Sequence, residues 1–264
     1  MKKQTSNLGG KVVAKTKEKQ PLTKKNKIII LVLSIVIALG VIAGVVMGIL
    51  YGVGAFEKKV PTLHEKDAAN GFKRYYVTGG TYPGTYAVMT INDGEKDYEI
   101  EILLMKDLAP ITVNNFIQYV EEGFYDGTVI HRIVPDTYTF QGGGKTYQNG
   151  KYVSKSGTHD AIKGEFLKNL TAEPEDKYAY NILSHFAGTI SMARTNNVNS
   201  ATSEFFISWN NYPAWDGNYA AFGFIVDVED VLAIKKMGET AQTDEDEQPK
   251  SPITITKIEI KEVE

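Results

Sequence analysis

The sequence predicts a mainly β domain capped by two helices, set behind an N-terminal segment that crosses a membrane. Three observations carry this. Short β-rich runs with a period of two recur from residue 86 to the C-terminus. Two stretches in the same region have helical apolar spacing. And residues 28–56 contain no charged side chain.

Composition narrows the function classes. The chain has 264 residues, 42% hydrophobic and 11% aromatic, which suits one sizeable folded domain with extensions rather than a disordered chain. It has no cysteine, so a disulfide scaffold, a thiolate metal site and a cysteine nucleophile are excluded. The net charge of −3 hides an asymmetry. Residues 1–27 hold nine lysines and one glutamate, about +8, whereas residues 57–264 hold 20 basic and 31 acidic side chains, about −11. A domain of that sign is a poor nucleic-acid partner.

The uncharged run IIILVLSIVIALGVIAGVVMGILYGVGAF exceeds the ~20 residues that cross a hydrocarbon core of ~30 Å. It is about twice the length of a signal-peptide apolar region, and Gly52-Val53-Gly54-Ala55 is a weak cleavage site. Residues 28–56 therefore read as a retained transmembrane anchor. Lys24, Lys25 and Lys27 precede it, so residues 1–27 are expected in the cytoplasm and the remainder outside the cell membrane. Gly40, Gly44, Gly48 and Gly52 fall on one helix face. Such a face permits a transmembrane-helix dimer, although glycine is common in membrane helices in any case.

The elements follow in order. Residues 57–85 are polar and aperiodic, with Gly79-Gly80 and Pro83-Gly84, and read as a stalk and loop. Tyr86–Ile91 and Tyr98–Leu104 alternate around the turn Asn92-Asp93-Gly94. Pro110 opens a helix whose stripe is Val113, Phe116, Ile117 and Val120, and Gly123 ends it. Strands are expected at Thr128–Val134, Tyr138–Gln141, Gly188–Ala193, Glu204–Ser208 and Ala220–Val226. Val228–Met237 reads as the second helix and Ile253–Ile260 as the last strand. The intervening residues 239–252, with Asp244-Glu245-Asp246-Glu247, read as a solvated loop without the spaced ligands of a calcium loop.

Common catalytic signatures are absent. There is no GxSxG, HExxH or Walker-type sequence, and the four histidines show no ligand spacing, so no metal or cofactor is implied. Gln141-Gly142-Gly143-Gly144-Lys145 lacks the strand–loop–helix setting of a phosphate cradle and reads as a tight turn. The informative segments are HRIVP at 131–135, QGG at 141–143, GTISMAR at 188–194, SEFFI at 203–207 and DGNYAAFG at 216–223. Within the first, strand geometry sends His131 and Arg132 to opposite faces; the same rule separates Phe205 from Phe206.

Those five motifs, in this order, resemble the cyclophilin family of peptidyl-prolyl cis–trans isomerases over about residues 86–262. The resemblance implies a closed eight-stranded antiparallel barrel capped by two helices, acting on proline-containing polypeptides. It implies that Arg132 is the catalytic residue. Tyr138, Phe206 and Trp215 would wall the proline pocket, with Met192 nearby, either in the pocket or in the core. Gln141 would hold substrate backbone and orient Arg132, Ala193 and Arg194 would line the adjoining groove, and Tyr219 would close the rim. His131 is expected to be structural, Phe205 to lie in the core, and Asp216-Gly217 to form a turn.

The chain departs from the family pattern at several positions. Five residues separate Pro135 from Gln141 where four are usual, so the pocket aromatic position falls on Tyr138 counting back or Thr137 counting forward. Glu204 stands where glutamine is common, Trp215 where leucine is, and Tyr219 where histidine is. Ala214 replaces a tryptophan tied to cyclosporin binding, which implies weak sensitivity to that compound. Residues 144–187 are longer than in compact members, with Thr171–Tyr180 the expected insertion. The resulting expectation is a membrane-anchored isomerase assisting exported proteins, with domains at 1–27, 28–56, 57–85 and 86–264. A non-catalytic proline-peptide binding module and a structural surface protein are the rival readings.

Overall fold

The computed structural model describes residues 61–166 and 181–264. The expected anchor, its glycine face at Gly40, Gly44, Gly48 and Gly52, and the expected insertion Thr171–Tyr180 lie outside these residues. No helix among the described residues is long and apolar enough to cross a membrane.

Thirteen strands and two α-helices are seen among the described residues. The hairpin of β3 (Gly84–Asn92) and β4 (Asp97–Leu104) turns at Asn92-Asp93-Gly94. There Gly94 adopts φ +95° and the Asp93 carboxylate accepts the N–H groups of Glu95 and Lys96. Helix α1 (Pro110–Glu121) buries Val113, Phe116 and Val120, with Ile117 half-buried at the edge of the stripe. Its N-cap, Ala109, offers no side-chain acceptor. The buried Glu165 carboxylate serves instead, accepting from Ile111 N, Thr112 N and Thr112 Oγ1 at 3.0, 2.7 and 2.7 Å. Helix α2 (Val228–Thr240) is capped locally by Asp227, which accepts from Glu229 N.

One sheet holds eleven strands. Its remaining members are β5 (Thr128–Ile130), β6 (Arg132–Val134), β7 (Thr139–Gly142), β8 (Lys145–Gln148), β9 (Lys151–Ser154), β10 (Thr189–Met192), β11 (Phe205–Ser208), β12 (Ala221–Ile225) and β13 (Ile253–Val263). The order is β6-β7-β11-β10-β12-β4-β3-β13-β5-β8-β9. The strand expected over Thr128–Val134 is broken at His131, and β8–β9 is a hairpin that sequence periodicity did not reveal. With β5 and β6 taken as one run and that hairpin set aside, eight strands remain. His131 N–H donates to the Gln141 carbonyl at 2.9 Å, so the β5–β6 run reaches β13 with one half and β7 with the other. Gly142 makes this approach possible, since a Cβ there would meet Ile130 at 2.7 Å.

The main core lies between this sheet and the helices, with Phe116 at the centre of an aromatic group of Tyr125, Phe205 and Phe222. A second apolar cluster corrects the expectation of a stalk at 57–85. Strands β1 (Thr62–Asp67) and β2 (Lys73–Thr78) form an antiparallel hairpin. Its Tyr75 packs with Tyr86, Leu103, Leu183 and Phe224 on the outer face of the sheet. Lys73 also exchanges backbone bonds with residues 182 and 184. Only one β2 side chain, Tyr75, is fully buried, so no alternation was legible in the sequence.

Candidate functional site

Two rows of side chains cross strands β6, β7, β11 and β10. Ile133, Phe140, Ile207 and Ile190 are opposed in register, and all are at most 1% exposed. The neighbouring row is Arg132, Gln141, Phe206 and Ser191. Because successive residues of a strand face opposite sides, the first row faces the core and the second the other side, where the groove is open at Arg132 and closed over by side chains at Phe206 and Ser191. The next row, Gly142, Phe205 and Met192, faces the core again. Met192 is therefore a core residue rather than a pocket wall beside Phe206. It also lines a small cavity with Phe166 and Arg194.

Phe206 is the centre of the aromatic part of the site. Trp215 packs edge-on at 4.7 Å, Tyr219 edge-on at 5.4 Å, and the His185 ring stacks beside it at 6.0 Å. These rings leave Phe206 only 4% exposed. Trp215 sits in a short 3-10 turn, Pro213–Trp215, which lets the bulkier residue lie across the phenyl ring. Tyr138 does not join this group. The extra residue before Gln141 is absorbed by a 3-10 turn at Pro135–Thr137, followed by Tyr138 at φ +56°. Its ring meets Trp209 and Tyr212, each at 6.2 Å, and reaches Trp215 only through Tyr212.

A hydrogen-bonded chain beneath Phe206 escaped the sequence reading. His185 Nδ1 lies 3.0 Å from Asp216 Oδ1, and Nε2 lies 2.8 Å from Ser191 Oγ. Burial pulls the His185 imidazole below its ordinary 6.5, against the opposing effect of the Asp216 carboxylate. The neutral ring donates from Nδ1 to Asp216 and accepts the Ser191 hydroxyl at Nε2. The order is that of a Ser–His–Asp hydrolase, but Ser191 is fully buried, so no substrate carbonyl can meet it. The chain supports Phe206 and ties the Asp216-Gly217 turn to the sheet.

Arg132 stands at the open edge, its side chain 45% exposed, while His131 on the other face is 4% exposed. Arg132 Nη1 is 3.5 Å from Gln141 Oε1, at the outer limit of a hydrogen bond. Its Nε donates to Glu247 Oε2 at 2.7 Å. Glu247 comes from the segment expected to be a solvated loop. That segment begins only after Thr240, because α2 runs three residues further than the sequence predicts, and it docks on β6 through Ile133 N–H to the Glu247 carbonyl. Glu204 accepts from Gln141 Nε2 at 2.9 Å and lies 3.3 Å from His131 Nε2. Burial alone would raise the Glu204 carboxyl. The His131 and Gln141 contacts and nearby Lys145 outweigh burial and hold it below its ordinary 4.5.

The adjoining groove is more committed than the sequence implied. Ala193 N–H already donates to the Glu204 carbonyl at 2.9 Å. The Arg194 guanidinium lies between the Phe166 and Tyr219 rings and donates to the Asn218 carbonyl from Nε and Nη2. Arg194 thus fastens the loop carrying Tyr219 rather than reaching freely into the groove. Among the described residues no group of three or more histidine or acidic side chains could hold a metal.

Residues 86–260 match the family described as cyclophilin type peptidyl-prolyl cis-trans isomerase/CLD. A peptidyl-prolyl cis-trans isomerase of Acinetobacter baylyi is 34% identical over 170 residues, covering 62% of this chain and 81% of that protein. Peptidyl-prolyl cis-trans isomerase B of Escherichia coli is 32% identical over 173 residues, covering 62% of this chain and 94% of that protein. A crystal structure of a cyclophilin-type isomerase from Cryptosporidium parvum aligns with a TM-score of 0.49 at 22% identity, over 67% of this chain and 99% of that one. With a family match over most of its length, and with mainly β architecture and two helices, the chain belongs to the cyclophilin-type peptidyl-prolyl cis-trans isomerase family.

Proposed function

We propose that the protein catalyses rotation about Xaa-Pro peptide bonds in polypeptides. The observation that carries this is the groove row, in which Arg132, Gln141 and Phe206 are opposed on three adjacent strands. Amide resonance sets a barrier of about 20 kcal/mol to this rotation, and no covalent bond need break. The groove has the parts the reaction needs. Trp215 and Tyr219, half-buried and packed against Phe206, offer apolar ring surface to a proline. Gln141 offers amide contacts to the flanking backbone. Arg132, always charged, can donate to the nitrogen as it becomes pyramidal and loses its resonance. The chain run joining β13 to β7 supports closure of the eight principal strands into a barrel, which would hold these side chains on rigid strands.

The uncharged, lysine-flanked run at 28–56 supports an anchor that places this domain outside the cell membrane, where it would act on exported chains; helix pairing through Gly40, Gly44, Gly48 and Gly52 would make the anchor a dimer. Protease added to intact cells should remove the domain. Protection of the domain would reverse the topology. One observation favours the binding-module reading: Trp215 and Tyr219 cover Phe206 and narrow the pocket. Exchange NMR on a proline-containing peptide, with the full chain in detergent, separates the two. Wild type should accelerate exchange, and Arg132→Ala should lower kcat/KM by about 100-fold, the order seen on removing one transition-state donor. Peptide binding without accelerated exchange would establish the binding module.

A further inference from the structure

We propose that Glu247 is a positioning residue for Arg132. It holds the guanidinium by Nε and keeps the terminal nitrogens turned toward the groove. The proposal rests on the reading of Arg132 as the group that meets the prolyl bond. Three independent features of the structure lead to it.

The first is the unequal hold on the guanidinium. The Glu247 bond to Nε is 2.7 Å long, while Gln141 stands 3.5 Å from Nη1. Among the described residues, Glu247 is the short contact that defines where this side chain lies. Occupying Nε leaves Nη2, and Nη1 beyond its long contact with Gln141, for substrate.

The second is the anchoring of the loop that carries Glu247. A half-exposed ion pair between two long flexible side chains does little to fix either one. Here the backbone of one partner is fastened to the strand of the other, because Ile133 N–H donates to the Glu247 carbonyl at 2.9 Å. The loop is also closed on itself. Asp244 accepts from the N–H groups of Asp246 and Gln248, Thr243 bridges Pro249, and Lys250 N–H donates to the Gln242 carbonyl. Tyr152 of the β8–β9 hairpin donates to the Pro249 carbonyl at 2.6 Å. The loop and the β8–β9 hairpin thus together hold one carboxylate against Arg132.

The third is the backbone of Glu247 itself, at φ +61°. A non-glycine residue keeps that conformation only where its surroundings impose it, and such positions cluster at functional sites. Glu247 is the only member of the run Asp244-Glu245-Asp246-Glu247 with a cation in ion-pair range among the described residues.

The test uses the full chain in detergent, with Glu247→Ala, Glu247→Gln and, as a charge control, Glu245→Gln at an exposed neighbour. Exchange NMR on a proline peptide gives kcat and KM. The nitrogen–proton signal of Arg132 Nε reports the hold on the guanidinium without reference to activity. Glu247→Ala should lower kcat about tenfold with KM changed less than about twofold, in keeping with the cost of misplacing a reacting group. It should also expose the Arg132 Nε proton to solvent exchange. Glu247→Gln retains an acceptor oxygen and should restore most of both readouts, and Glu245→Gln should change neither. An unchanged kcat in Glu247→Ala, or a Glu247→Gln as impaired as Glu247→Ala, would overturn the proposal. So would loss of protection at the Ile133 amide alongside the loss of kcat, since the role would then be to fold the loop. A wild type that binds peptide without turning it over would refute the catalytic reading instead, while the Nε signal would still decide whether Glu247 holds Arg132.

Discussion

At the residue scale, the alternation of a β-strand separates chemistry from packing. Arg132 and Ile133 are neighbours in sequence, yet one lines the groove and the other is 1% exposed in the core. His131, Phe205 and Met192 fall on the core side by the same rule. The titratable groups at the site also set the response to pH. His185 and Glu204 both have folded-state values below their ordinary ones. In both cases the unfolded chain binds protons more readily than the folded one. Their contributions are therefore complete above about pH 6.5 and pH 4.5 respectively, and are lost as pH falls through the folded values. The thermal midpoint should decline in two stages on acidification, the first beginning near pH 6.5. A midpoint that stayed level from pH 7.5 to pH 5 would show that His185 is not held neutral by burial.

At the scale of elements, the fold solves capping in two ways. Helix α2 carries its own cap at Asp227, which the sequence places one residue before the helix. Helix α1 begins at Ala109-Pro110, where no side chain can accept its free N–H groups, and takes Glu165 from more than fifty residues away. Glu165 is 1% exposed and receives three hydrogen bonds. Glu165→Ala should lower the unfolding free energy by about 2–3 kcal/mol, the cost of stranding buried donors, read as a lower urea midpoint at unchanged slope. Glu165→Gln keeps the acceptors in part and should cost less. The turn after β7 is an element whose geometry the sequence did show, since three consecutive glycines follow Gln141. Gly143 takes φ +86°, and a Cβ there would lie 2.8 Å from the Ser203 carbonyl.

At the scale of the whole molecule, the hairpin β1–β2 extends the domain toward the N-terminus. It covers Tyr86, Leu103 and Phe224, each at most 3% exposed, on the face of the sheet away from the main core. A chain beginning at residue 59 keeps this cover, and a chain beginning at residue 81 loses it. The shorter chain should melt about 5 °C or more lower, given ~2 kcal/mol for an aromatic side chain taken out of contact. Equal midpoints in calorimetry would mean that the hairpin only rests on the domain.

Much of this protein was legible before any coordinates. Periodicity located the strands of the β3–β4 hairpin and both helices, because each buries one face and leaves a repeat behind, whereas the run from Phe205 to Ser208 is buried on both faces and was marked by its β-rich residues. The motif order named the family and pointed to Arg132, Gln141 and Phe206, which three adjacent strands bring into one row. The hairpins β1–β2 and β8–β9 left no such repeat, since their strands bury few side chains, and a mostly exposed strand looks like a loop. The partners of the site were invisible for a different reason. Glu247 lies 115 positions from Arg132 and Asp216 lies 31 from His185, and no local pattern encodes an ion pair or hydrogen bond across such separations. Residue types and strand alternation were written in the sequence alone. Which carboxylate holds which cation, and which ring covers Phe206, was decided when the sheet brought distant segments side by side.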